Sequence, residues 1–458
     1  MSKIKSKYIW FAIIALDLVL VFINKSTFDN GDSVLHYLQA HQAFSTPMYF
    51  MDHWAKPLFV LLSSPLASIG WWGIKLFNTI CVLLSIYYAS KVFEYYVINK
   101  WWAVFLSFFS FSFFLIQSSG LTEPLFTLFL TVIVYLEIKD NTKIAFVLLS
   151  FLPFVRSEGW IIGCIIVVYA LYAKKYKYLP YLLLGTVIYG IAGLFVYQDF
   201  LWMFHQNPYS GVEAKYGSGS ALHFVNQLPY LIGLPIYILV FLGFFKGGLD
   251  FFKGRMKLKE LFLIYGVCLG YIVAHSIFWR YGMFHSYGLT RVILVIVPLL
   301  SYIAFKGLEW LVCALYFLPK KGIVGVFIFA ITIFPFIGNK MAMGLPHSFQ
   351  LKPNQVLAQD CSTWLIEQNL ADNPIYTNVF FLPLTLDKKI ETSDEVTEMK
   401  YLTAANDLDK GTLIIWDSYF SVTDAEITQE FIESNFNCNE LKSFKNKSGY
   451  KMVVYTIE

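Results

Sequence analysis

The sequence predicts a mainly α protein, a polytopic bundle of transmembrane helices with a small soluble α/β domain at its C-terminal end. Three observations carry that prediction. Hydrophobic residues fill 57% of the 458 positions and charged ones only 14%, against about 25% charge in ordinary soluble domains. The apolar residues gather in runs of near membrane-spanning length, with a mean hydropathy of +0.57. From about residue 341 the charges return and the pattern shifts. The net charge of +4 comes without any long basic run, so nucleic acid is not an expected partner.

In chain order, apolar runs predict about eleven spans, near 8–23, 73–90, 101–117, 122–138, 144–155, 159–173, 179–197, 228–245, 260–278, 290–305 and 322–338. The first follows Lys3, Lys5 and Lys7 and has no small-residue cleavage site behind it, so it reads as a retained span. Runs as short as 144–155 fit only inside the protein or along a water-filled cavity. With the N-terminus inside, the cytoplasmic loops hold 18 Lys and Arg, and the opposite side holds 8 before the C-terminal domain. That bias predicts a cytoplasmic N-terminus and an extracytoplasmic C-terminal domain, and a bacterial inner membrane is the favoured location. The expected domains are 1–340, with a first extracytoplasmic loop at 24–72, and 341–458.

Within that first loop, Lys56 to Gly70 is too broken by Pro and Ser for a span and reads as an interfacial or re-entrant helix. The second outer loop, 198–227, contains Gln206-Asn207-Pro208-Tyr209 and a Gly/Ser cluster at 217–220, which predicts a mobile loop. In the C-terminal domain, Pro353 opens a helical pattern running to Asn369. Strand-like runs follow at 374–381, 411–416 and 449–457, with a further helix at 424–434. Cys361 and Cys438 both fall in this domain, where an oxidising compartment would allow a disulfide.

Arginine is the most informative residue type. Only Arg156, Arg255, Arg280 and Arg291 exist, and all but Arg255 lie on the side where positive charge is disfavoured. A guanidinium offers a planar fork of donors suited to phosphate. The bland alternatives are interfacial snorkelling or, for Arg156, a pair with Glu158. The acidic candidates begin at Phe28-Asp29-Asn30-Gly31-Asp32-Ser33, directly after span one. A helix starting near Asp32 would put Asp32 and His36 on one face. A carboxylate there suits a general base toward a hydroxyl, although Asp is equally a favoured helix N-cap. Lys56, in Asp52-His53-Trp54-Ala55-Lys56-Pro57, can point at an anionic head group or serve as an interfacial lysine beside Trp54. Glu123, in Ser119-Gly120-Leu121-Thr122-Glu123-Pro124, also reads as ordinary helix-start chemistry. Asp17, inside span one, reads as an interhelical hydrogen-bond partner. His205, His223 and His285 are on the outer side without metal-ligand spacing.

Taken in order, these motifs resemble the GT-C superfamily of integral membrane glycosyltransferases, which use polyprenyl-phosphate sugar donors. That superfamily includes protein O-mannosyltransferases, the aminoarabinose transferase of lipid A and the dolichol-pathway mannosyltransferases. The match rests on FDNGDS after span one, DHWAKPLF ending its loop, SGLTEPLF with FVRSEGW, and LTRVILVIVPLL opening a late span. SGLTEPLF with RSEG looks most like the mannosyltransferase branch, with Ser157 where that branch often has Pro. The resemblance covers residues 1–338 in layout. It implies transfer of a sugar, mannose-like, from a polyprenyl-phosphate donor to a hydroxyl of an extracytoplasmic glycan, lipid or protein acceptor.

The resemblance also implies a catalytic Asp in the first loop, Asp32 or Asp29. Donor phosphate would be held by Arg291, with Arg280, Lys56 and Arg156 as further candidates. His36, His53, Glu123, Glu158 and His285 are candidates for lining the cavity, and the C-terminal domain would cap it or recognise the acceptor. No cofactor is called for, and a divalent cation at Asp29 or Asp32 stays open. A transporter or flippase of lipid-linked glycans is the rival of another class, and an envelope scaffold a third. Transport folds usually carry internal repeats, and none is legible here.

Overall fold

The computed structural model describes residues 3–96, 98–209, 216–337, 349–392, 394–405 and 407–458, with backbone alone for 3–6. The chain opens with α1 (Lys3–Ile23), α2 (Asp32–Gln42), α3 (Pro57–Ala67) and α4 (Trp71–Tyr95). It continues through α5 (Trp101–Phe108), α6 (Phe111–Ile116), α7 (Glu123–Ile138), α8 (Thr142–Val155) and α9 (Gly159–Tyr172). Next come α10 (Leu184–Val196), α11 (Trp202–His205), α12 (His223–Ile232) and α13 (Leu234–Phe252). The bundle ends with α14 (Leu258–Glu260), α15 (Val267–Tyr281), α16 (Val297–Ala314) and α17 (Lys320–Ile337).

Six described helical stretches are long and apolar enough to cross a membrane: α4, Tyr176–Val196, α13, Leu258–Tyr281, Thr290–Ala314 and α17. Together with α1, 21 residues long, they make this an integral membrane protein. The short runs at 144–155 and 159–173 are helices α8 and α9, and the broken stretch of the first loop is the 11-residue α3. Two expected spans depart from the pattern: 228–245 straddles Gly233 (φ +86°), which divides α12 from α13. Residues 101–117 form α5 and α6 rather than one helix: Ser110 takes a non-helical backbone (φ −74°, ψ 88°), and its hydroxyl bonds the Leu106 carbonyl at 2.9 Å.

At the centre, α13 and α16 touch backbone to backbone. A Cβ on Gly243 would lie 1.9 Å from the Ile303 carbonyl oxygen, and one on Gly307 would lie 2.0 Å from that of Leu239. Small residues are what such close membrane crossings require. Asp17 accepts a 2.6 Å hydrogen bond from Gln117, the interhelical role expected of it.

The expected domain boundary near 340, with Lys340, lies outside the described residues, as does Lys215 with part of the 198–227 loop. Beyond the boundary a helix at Pro353–Glu367 packs Leu357, Ala358, Cys361 and Leu365 against a five-stranded sheet. Its strands are β1 (Ile375–Thr377), β2 (Val396–Thr397), β3 (Leu413–Asp417), β4 (Cys438–Lys445) and β5 (Lys451–Ile457), in the order β2-β1-β3-β5-β4. β1 runs parallel to β2 and β3, while β5 is antiparallel to β3 and β4. β4 escaped the sequence reading because it is a largely exposed edge strand with no apolar alternation. The helix expected at 424–434 is shifted to Gln429–Asn435, capped by the Thr428 side chain. Cys361, buried in the helix, and Cys438, on β4, are both free thiols.

This domain sits on the first loop. Lys25 N donates to Phe349 O (2.9 Å), and Ile390 N donates to Gln42 Oε1 (3.1 Å). Tyr419 and Tyr287 join hydroxyl to hydroxyl at 2.6 Å.

Candidate active site

Four inter-helix junctions, α1–α2, α6–α7, α8–α9 and α15–α16, bring their charged residues to one end of the bundle. Small residues set the approach. Asn78 of α4 donates to the carbonyls of Ser119 (2.7 Å) and Leu121 (2.9 Å), fixing the segment before α7. Gly120 then receives α2: its amide donates to Ser33 Oγ at 2.8 Å, and a Cβ there would sit 2.1 Å from the Ser33 carbonyl oxygen. Gly159 closes the turn after Arg156, where a Cβ would meet Pro153 N at 2.5 Å.

Arg291 is the hub. One terminal nitrogen binds Asp29 Oδ2, the other binds Asp32 Oδ2, and Nε reaches Glu123 Oε1 at 3.2 Å. Arg156 shares that same Glu123 oxygen at 2.9 Å, bonds Thr122 Oγ1 at 2.8 Å and pairs with Glu158 at 2.6 Å. Two arginines and four carboxylates thus form one network through Glu123. Burial would push the Glu158 carboxyl up, but Arg156 beside it prevails and brings it down to about 2.

The two first-loop aspartates differ. Asp29 Oδ1 accepts from the amides of Gly31 (3.2 Å) and Ser33 (2.9 Å), so it holds the turn into α2 while its other oxygen holds Arg291. Asp32 keeps 41% of its side chain exposed. Burial opposes its charge, yet the Arg291 guanidinium outweighs that and keeps its carboxyl below the usual range. His36, one turn along α2, stacks on Trp54 at 4.7 Å, and burial lowers its pKa to about 3.

Lys56 is a buried cation that pairs with no described carboxylate. It is 5% exposed and donates to His53 O (3.2 Å) and Tyr209 Oη (3.1 Å). Its φ of +69° is a strained backbone for a non-glycine residue. Burial brings its pKa down to about 8.

The structure therefore unites Asp29, Asp32, Glu123, Arg156, Glu158 and Arg291, with Lys56, His36 and His53 beside them. Arg280 is exposed and His285 is in a turn with φ +50°; among the described residues neither bonds to the network. Among the described residues no group of three or more His, Cys, Asp or Glu is arranged to hold a metal; one oxygen of Asp29 and one of Asp32 bind Arg291.

Sequence reading missed Tyr209, Tyr271, His275 and Gln355. Tyr271 and His275 had a signal, being polar and four apart on a mostly apolar helix. Gln355 comes from the C-terminal domain. Its Nε2 donates to Asp29 O at 3.3 Å and to Thr27 Oγ1, and the Lys352 amide donates to its Oε1 at 3.1 Å.

No family model matches the chain, and no curated protein matches its sequence. Solved structures do match. ArnT from Cupriavidus metallidurans bound to undecaprenyl phosphate superposes with a TM-score of 0.65 at 12% identity, over 99% of this chain and 98% of that one. The apo state of ArnT gives 0.65 at 13% identity, with the same coverage. This chain has the ArnT fold. The GT-C resemblance drawn from short motifs is borne out as a fold, and the ArnT fold extends it across the C-terminal domain, which those motifs did not reach.

Proposed function

We propose that this protein is a membrane glycosyltransferase that moves a sugar from a polyprenyl-phosphate donor to an acceptor hydroxyl. The observation that carries this reading is Lys56, a buried lysine unclaimed by any described carboxylate, next to a half-exposed Asp32 on an ArnT fold. Asp32 is the base, since Asp29 has both oxygens committed to the turn and to Arg291. It takes the proton of the acceptor hydroxyl while that oxygen bonds to the anomeric carbon. The bond from that carbon to the phosphate oxygen breaks, and its electron pair leaves with the phosphate. Lys56 and the Arg291 guanidinium neutralise the departing charge. Acceptors are glycans, lipids or proteins outside the cytoplasm. That orientation follows the 18-to-8 basic bias, and reporters fused at Lys143 and Glu458 that read the same compartment would refute it.

The test is Asp32→Asn. Asp32 is the first residue of α2 and caps no amide, and Asn keeps its shape, so the variant folds and binds undecaprenyl phosphate normally. Transfer falls roughly 10²- to 10⁴-fold. Full transfer by Asp32→Asn, with transfer lost in Asp29→Asn, moves the base three residues upstream. Full transfer by both variants removes the carboxylate mechanism and favours lipid-glycan transport.

A further inference from the structure

Polar atoms in need of a partner collect around Arg156. Among the described residues, Glu123 Oε2, Arg156 Nε, Ser157 Oγ, Tyr271 Oη and His275 Nε2 are all enclosed and have no hydrogen-bond partner. The side chains that bear them are deeply set: Tyr271 is 0% exposed, Glu123 1% and His275 6%. Tyr271 and His275 project from one face of α15, their rings edge to face at 4.5 Å. Tyr271 lies within electrostatic reach of Glu158, Arg156 and Glu123, and His275 within reach of Glu158 and Arg156.

A single buried polar atom without a partner is costly. Five around one guanidinium mark a place built for a polar occupant. The charges indicate which kind. Both terminal nitrogens of Arg156 are spent on Glu123 and Glu158, and Glu123 also meets Arg291. An anion has to displace a carboxylate from the guanidinium ends, and a cation finds one free carboxylate oxygen, Glu123 Oε2, set against the unpartnered Arg156 Nε. What stays unsatisfied is mostly uncharged donors and acceptors, the complement of a ring of hydroxyls.

We infer that this corner is the pocket for a neutral, polyhydroxylated sugar, a hexose rather than an amino sugar, with Tyr271 and His275 bonding its hydroxyls. The inference rests on the polyprenyl-phosphate donor reading above. Glu123 links the pocket to Arg291 and Asp32, so a sugar bound there lies beside the base.

The experiment compares three probes on the full chain in lipid nanodiscs: undecaprenyl phosphate, the same lipid carrying mannose, and the same lipid carrying an amino sugar. The mannosyl lipid binds tighter than the bare lipid, and the amino-sugar lipid gains less. Tyr271→Phe removes one oxygen and keeps the ring, so the melting temperature holds. It cuts the mannose-dependent gain roughly tenfold while bare-lipid affinity is unchanged, and His275→Phe does the same. Bare lipid bound with no mannose-dependent gain, or a gain that survives both substitutions, overturns the pocket alone and leaves ordered water as the occupant. A larger gain from the amino sugar overturns the neutral class. Bare lipid that fails to bind the unaltered protein overturns the donor reading and this inference with it.

Discussion

Two charge clusters sit in interhelical loops of the bundle, and they are built differently. In the first, Arg156 and Arg291 face Asp29, Asp32, Glu123 and Glu158, so carboxylates outnumber the arginines, and more enclosed polar atoms lack partners there than in the second, where Glu137 Oε2 does. In the second, Lys175 binds the fully buried Glu137 and reaches Asp140 at 3.4 Å, while Lys259 pairs with Asp140 at 2.7 Å. Lys175 also donates to Thr142 (2.8 Å), and Lys259 donates to the Ile138 carbonyl (3.0 Å). Two lysines there match two acids, and three loops are tied together. The lesson is about purpose. A balanced lysine cluster fastens loops, whereas an arginine shared among several carboxylates is a set of ligands that substrate can rearrange.

The largest expected effect breaks the first cluster. Arg291→Lys offers one ammonium where three carboxylates bind a fork, so sugar transfer falls about 10²- to 10³-fold. Near-normal transfer in that variant would remove Arg291 from the mechanism. Next comes the second cluster. Lys175→Met leaves Glu137 buried and unpaired, so unfolding resistance drops by roughly 3–5 kcal/mol, while transfer per folded molecule stays the same. A loss of transfer without a loss of stability would erase the distinction between the two clusters.

A smaller effect concerns Lys56, which neither cluster uses. Its pKa is brought down to about 8 by burial. Below pH 8 the ammonium is present and undecaprenyl phosphate binds fully. Above it the free lysine is neutral, binding must supply a proton, and affinity falls toward tenfold per pH unit. The phosphate itself is already ionised there. Lys56→Arg, always charged, flattens the profile above pH 8. A wild-type profile flat from pH 7 to 10 would assign the phosphate to another residue.

How much of this was legible depends on the period of each signal. The long spans, α3 and the Pro353 helix were readable because apolar runs and Pro-initiated helices are local. Asp29, Asp32, Glu123 and Arg291 were each visible as charges at span ends. That one guanidinium joins the first three was not, since it links residues 259 and 262 apart in sequence. β4 and the break at Ser110 carried no apolar pattern to read. Tyr209 looked like part of a loop, and only packing against Lys56 gives it a place. Gln355 looked like the third residue of a surface helix.

Gln355 supplies the smallest and most specific test. Its amide holds the Thr27–Asp29 turn from the C-terminal domain, and Asp29 in turn holds Arg291, so the domain belongs to the site and does more than cover it. Gln355→Ala removes one donor to the turn and the acceptor for the Lys352 amide. A hydrogen bond of this kind is worth about 1 kcal/mol, or roughly fivefold in transfer. The amides of Gly31 and Ser33, which donate to Asp29, exchange faster with solvent. The comparison is Gln42→Ala, which breaks a different domain contact, to Ile390 N (3.1 Å) and Lys388 O (3.3 Å), away from that turn. Loosened docking alone makes both variants lose transfer equally and raises exchange across the whole interface. A positioning role confines the faster exchange to residues near 27–33 in Gln355→Ala, leaves the Ile390 amide protected, and spares transfer in Gln42→Ala.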